Sequence, residues 1–130
     1  MIVDRDKAAG EALAAEVGKG CVLVHAELAR AEDCAHAVEQ AVAKFGRLDG
    51  LVNCAGISQP YDSISIPPAD WGRMVEVQLN GAFYVAQACA KRMWNAGGAI
   101  VFITSTNAEA AFPRRAAYCS KCRMAGKKNV

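Results

Sequence analysis

The sequence predicts an α/β fold built on a parallel sheet, and three observations point that way. Short apolar runs alternate with helical stretches in steps of roughly twenty to thirty residues, the rhythm of strand–helix–strand units. The runs are apolar throughout rather than alternating, as expected of strands covered on both faces. Glycines stand where each helical stretch should stop.

Taken in order, MIVD (1–4) is a short apolar run ending in a charge. Ala9, Leu13 and Val17 then recur every four residues, a helix stripe closed by Gly18 and Gly20. CVLV (21–24) is a second buried run. Ala37, Val38, Ala41, Val42 and Phe45 form a wide apolar helix face ending at Gly46. Leu51 and Val52 lead into NCAG (53–56), and a polar loop with Pro60, Pro67 and Pro68 follows. From Trp71, Met74 and Val75 an apolar helix runs through Ala82, Phe83, Ala86 and Ala90 to Gly97 and Gly98. AIVFI (99–103) is the fourth strand. Sheets of this kind bind ligands at the carboxyl ends of their strands. Those ends carry Asp4, Glu27, NCAG and TST (104–106), so candidate chemistry is sought there.

Composition narrows the function classes. A chain of 130 residues with 53% hydrophobic content can bury a real core and is neither disordered nor repetitive. Fifteen basic against thirteen acidic residues leave a net +2, too mild to argue for nucleic acid or a membrane surface, and Lys127 and Lys128 read as a solvated end. No apolar window is long enough to span a bilayer, and the charged MIVDRD start is not expected to be a signal peptide. The six cysteines sit without evident partners, which favours a reduced, cytoplasmic chain. Cys119-x-x-Cys122 is half a zinc motif with no second half, and no metal is expected.

Three segments in this order resemble the short-chain dehydrogenase/reductase family, a Rossmann-type group of nicotinamide-dependent oxidoreductases. FGRLDGLVNCAGIS (45–58) resembles the family's Asn-Asn-Ala-Gly segment, with Cys54 in place of the second asparagine. VEVQLNGAFYVAQA (75–88) resembles its long interface helix. GAIVFITSTNA (98–108), with Tyr118 thirteen residues after Ser105, resembles its serine-to-tyrosine spacing. The resemblance implies a partial dinucleotide-binding domain over 1–121 with a divergent tail at 122–130. It would lack the first strand with its glycine-rich turn, because no GxxxGxG precedes Asp4, and it would lack the C-terminal strands.

The resemblance also assigns roles. Asp4 would accept hydrogen bonds from the adenosine ribose and repel a 2′-phosphate, favouring NAD over NADP, with Arg5 beside it weakening that preference. Glu27 and Leu28 would lie against the adenine. Asn53, Cys54, Ala55 and Gly56 would form the segment near the nicotinamide side, with Asn53 bridging strands and Gly56 letting the backbone turn. Tyr118 would be the acid/base, Ser105 would hold the substrate oxygen, and Lys121 would support Tyr118 and the nicotinamide ribose. A phenol ionises near pH 10 in water, and a neighbouring ammonium favours the phenolate. The substrate would be a small alcohol or carbonyl compound. A homo-oligomer is expected if the full-length fold exists.

Two departures bear on activity. The family's site asparagine falls at Gln78, which keeps the amide but moves it out by a methylene. The family's Tyr-x-x-x-Lys reads here Tyr118-Cys119-Ser120-Lys121, one residue short. At i+3 rather than i+4 the lysine swings by about 100° around the helix, although both spacings share a face. The sequence therefore supports two expectations. One is an NAD(P)-dependent oxidoreductase read as truncated or mis-framed; the other is an inactive half-domain with at most a dimerisation role through the 71–94 region.

Overall fold

The computed structural model describes residues 1–110 and 112–126, apart from the side chains of Lys121 and residues 123–126. Five α-helices and four strands alternate among them. Strand β1 (Ile2–Asp4) pairs in parallel with β2 (Leu23–His25), setting Asp4 opposite His25. Strand β3 (Gly50–Asn53) pairs in parallel with β4 (Ala99–Phe102), setting Asn53 opposite Phe102. The expected parallel α/β architecture is present, as two strand pairs.

The two pairs face each other across an open cleft of about 950 Å3. Residues of β1 and β3 line it, and no residue of β2 or β4 does, so the order across the molecule is β2, β1, cleft, β3, β4. The direction of travel reverses between β2 and β3. Right-handed crossovers then put helix α1 (Lys7–Val17) and helix α2 (Ala31–Phe45) on opposite faces.

Local sequence explains the element ends. The Asp6 carboxylate accepts from the Ala9 N–H at 3.0 Å and caps α1. Gly18 and Gly20 turn the chain with φ of 87° and 93°, and the Cys21 N–H returns to the Gly18 carbonyl at 3.1 Å. That turn delays β2 to Leu23, two residues later than the apolar run suggested. Pro68 opens helix α3 (Pro68–Val75), where a missing N–H costs nothing. The long apolar helix expected next is interrupted by a π-helical turn, Glu76–Asn80, before α4 (Gly81–Met93). A short 3-10 turn (Thr106–Ala108) then leads to α5 (Ala116–Gly126). Helix α5 continues past Lys121, where the domain was expected to end, and Cys122 is fully buried. Lys127 and Lys128 lie outside the described residues.

The core sits where α2 meets α4. Cys34, Val38, Val85, Cys89 and Met93 are buried there, with Leu51 and Ile100 of the sheet packed beneath. Burial in this chain is one-sided for β3 and β4, against the expectation of two covered faces. Leu51 and Ile100 point into the core, while their neighbours Val52 and Val101 are 64% and 47% exposed. The α1 stripe also differs from expectation: Leu13 and Val17 are exposed. An eleven-residue helix outruns the three-residue strands beside it. It meets the sheet instead at Gly10, where an added Cβ would lie 2.5 Å from Leu23 Cδ1.

Candidate active site

The strand ends gather their polar residues into two neighbouring clefts. The first, of about 190 Å3, lies at the carboxyl ends of β1, β2 and β3. Asp4, Arg5, Glu27, Leu28, Cys54, Ala55 and Gly56 all line it, so seven of the expected cofactor-side residues converge. One Asp4 carboxylate oxygen accepts from the Asp6 N–H at 2.8 Å, which fixes the acid at the strand end. Glu27 is held from two sides. Its N–H donates to Asp33 Oδ2 at 3.0 Å, and its carboxylate lies 4.0 Å from the Arg73 guanidinium.

Asn53 is buried, and among the described residues its side chain bonds across to no other strand. Its Oδ1 accepts from the Ala55 N–H at 3.0 Å, closing the NCAG turn on itself. Gly56 is not in a left-handed conformation either. An added Cβ would stand 3.4 Å from Gln78 Oε1, an ordinary contact, so Gly56 lies directly against Gln78.

Gln78 lies in the π-helical turn, 3% exposed. Its Nε2 donates to the Ile57 carbonyl, tying α3–α4 to the loop after β3. Its Oε1 has no partner among the described residues. Beside it is a cavity of about 20 Å3, lined by Asn53, Ala55, Thr104 and Cys122, with room for one water. Turns of this kind re-aim a side chain by inserting an extra residue into the helical register. Nothing in the apolar periodicity announced it.

The second cleft is open and measures about 520 Å3, lined by Ser58, Asn107, Phe112, Pro113, Arg115 and Tyr118. Ser105 reaches it through Asn107. The Ser105 hydroxyl accepts from Asn107 Nδ2 at 2.9 Å and from the Asn107 N–H at 3.2 Å. Asn107 Oδ1 in turn accepts from the Cys119 thiol of α5 at 3.6 Å. The sequence reading missed Asn107. The signal was available: an amide two residues after a strand-end serine is positioned to bond back to it. Helix α5 packs against α3, the π-helical turn and the 3-10 turn, which fixes Tyr118 over this end of the sheet. The Lys121 side chain, expected to support Tyr118, lies outside the described residues.

The loop between the two clefts is tied at several points. Tyr61 donates to Asp70 Oδ2 at 2.6 Å. That hydrogen bond, then desolvation and the Asp70 charge, raise the Tyr61 phenol above its ordinary value. The Tyr61 N–H also donates to the Arg114 carbonyl at 3.1 Å, and Arg114 lies 3.6 Å from Asp62. All six cysteines are thiols; Cys54 is exposed in the first cleft, while Cys34 and Cys89 are buried. Among the described residues no group of three or more His, Cys, Asp or Glu is placed to hold a metal, and no helix is long and apolar enough to cross a membrane.

Comparison with known proteins identifies the family of this fold. The chain is 37% identical over 125 residues to D-threitol dehydrogenase of Mycolicibacterium smegmatis, covering 91% of this chain and 47% of that protein. It is 35% identical over 128 residues to trans-4-hydroxycyclohexanecarboxylate dehydrogenase of Sinomonas cyclohexanicum, covering 92% and 48%. The structure matches the 3-ketoacyl-(acyl-carrier-protein) reductase of Brucella melitensis, solved in complex with NADH. The TM-score is 0.90 at 32% identity, over 95% of this chain and 53% of that one. The chain thus spans about half the length of the curated relatives it matches. The family profile described as short chain dehydrogenase matches residues 1–126, which takes in every described residue. With the family profile, the relatives and the fold in agreement, this chain belongs to the short-chain dehydrogenase family.

Proposed function

We propose that the chain carries the central part of an oxidoreductase site that transfers hydride between a nicotinamide cofactor and a small alcohol or carbonyl substrate. The observation that carries the reading is the convergence of Asp4, Glu27 and the NCAG turn in one cleft. The neighbouring cleft presents Tyr118 and, through Asn107, Ser105.

The residues fit the adenosine end of a dinucleotide. Ala55 and Gly56 leave open wall, and Asp4 offers an acceptor for ribose hydroxyls. A carboxylate there repels a 2′-phosphate, which supports NAD over NADP. Arg5 lines the same cleft and has the opposite effect on that preference. The β1–α1 turn does not fit a pyrophosphate: it carries Asp4 and Asp6, and Asp6 already caps α1. Bound in this cleft, the nicotinamide cofactor supplies the hydride chemistry.

The chain's own residues move the proton and hold the substrate. Tyr118 gives or takes the hydroxyl proton of the substrate. Ser105, oriented by Asn107, donates a hydrogen bond to the substrate oxygen. Lys121 supports Tyr118 electrostatically from one turn further along α5. Gln78 contributes an acceptor beside the water-sized cavity, a station for passing the proton toward solvent. A cytoplasmic setting keeps the exposed Cys54 as a thiol. Exposed Phe83 and Trp94 on and after α4 support assembly into a homo-oligomer.

The test is formation of reduced nicotinamide from NAD and a panel of secondary alcohols. Turnover that falls about a hundredfold or more in Tyr118→Phe supports the reading. Turnover unchanged in that variant overturns it. A second reading, a non-catalytic half-domain, is favoured by the open cleft between β1 and β3. Saturable NADH binding without turnover would decide for a binding role over catalysis.

A further inference from the structure

The arginines whose side chains are described divide into two groups. Arg30, Arg47, Arg73, Arg92 and Arg114 each pair with a carboxylate. Among the described residues, Arg5 and Arg115 do not. Arg5 stands beside Asp4 in the adenosine-side cleft already described. Arg115 lines the cleft that holds Tyr118, three residues before it, and no carboxylate lines that cleft.

Arg115 is also held in place. Its Nη1 donates to the Ser58 hydroxyl, and its carbonyl accepts from the Cys119 N–H at 2.7 Å, so the residue leads directly into α5. A guanidinium carries five N–H donors in a flat fork. One contact to Ser58 orients that fork, and the remaining donors have no acceptor among the described residues. A half-buried cation with unspent donors, preoriented by a neutral hydroxyl, suits a planar anionic partner. The rest of the wall is apolar at Phe112 and Pro113, which suits a short hydrocarbon body between the anion and the reacting carbon.

We propose that Arg115 sets substrate class at this site by gripping a carboxylate on the substrate, so that the alcohols accepted are hydroxy acids. This inference rests on the reading of the Tyr118 cleft as the substrate site. Arg115 binds the remote carboxylate while the alcohol carbon lies toward Tyr118. Arg114, spent on Asp62, takes no part.

The test compares β-hydroxybutyrate, its methyl ester and hydroxypropyl phosphate as ligands of the full chain, with dissociation constants from ligand-observed NMR. The acid should bind about tenfold or more tightly than the ester, the range expected of a charge-assisted pair. Arg115→Gln should bring that ratio to about one, whereas Arg114→Gln should leave the ratio intact. If circular dichroism shows Arg115→Gln unfolded, Arg115→Lys decides. A several-fold drop in the ratio supports the fork, and an undiminished ratio overturns it. Equal binding of acid and ester by the parent chain overturns the proposal, as does a ratio that survives Arg115→Gln. Tighter binding of the phosphate than of the acid overturns the carboxylate assignment. The readout is separable from catalysis. Acid preference without nicotinamide reduction sinks the redox reading and leaves the anion site standing. Nicotinamide reduction with no acid preference does the reverse.

Discussion

The α2–α4 seam and the β1–β3 cleft are built from similar apolar residues, yet one is closed and the other open. At the seam, Cys34, Val38, Val85, Cys89 and Met93 are buried against one another. Across the cleft, β1 and β3 turn unpaired edges toward each other, and Val52 is 64% exposed. Two helices of this chain complete each other's apolar faces, whereas a strand edge needs a further strand. Stability should therefore concentrate in the seam, while the cleft and the clefts at the strand ends stay available for binding.

That contrast can be broken most forcefully at Met93. Met93→Ala removes most of a side chain that is 5% exposed at the seam, and urea denaturation should show about 2–5 kcal/mol lost. A loss near zero would mean that the seam is not the core. Second, pH probes the same seam through Cys34. Burial, then the Asp33 charge and Cys89, push its thiol up to about 11 from an ordinary 9.0. A pKa raised in the folded state gives stability that is complete below the unfolded value and fades as pH climbs from about 9 to about 11. The parent chain should lose about 3 kcal/mol more than Cys34→Ala across that window in matched denaturation curves. Parallel curves would show that the thiol is not held neutral by the fold.

Third, Gly81→Ala tests close packing at the start of α4. Its Cβ would meet the Leu28 carbonyl oxygen at 2.7 Å, a backbone atom that cannot rotate away, and about 1–3 kcal/mol should be lost. The smallest effect belongs to the cleft: Val52→Ala should change stability by no more than about 0.5 kcal/mol. A larger loss there would mean that something covers the cleft in solution.

The same contrast explains what could be read in advance. Helix α2 was legible because its apolar stripe has a partner in α4, so periodicity and burial coincide. The α1 stripe of Leu13 and Val17 misled, because periodicity reports an apolar face but not whether anything lies over it. The strand ends were legible from Asp4, Glu27 and NCAG, since residues at the carboxyl ends of parallel strands must share one edge of the sheet. Arg115 and the π-helical turn that aims Gln78 were not. Their roles depend on contacts between segments distant in the chain, such as Arg115 with Ser58, or on an extra residue in a helix with no compositional mark.

Whether the Asp4 cleft takes a nicotinamide cofactor is read most directly by a fluorescence titration of NADH against the full chain and Asp4→Ala. Saturable binding by the parent chain is expected, weakened about tenfold in Asp4→Ala as the ribose acceptor is removed. Absence of saturable binding, or equal affinity in the variant, would contradict the assignment of the cleft holding Asp4, Glu27 and the NCAG turn to a nicotinamide cofactor.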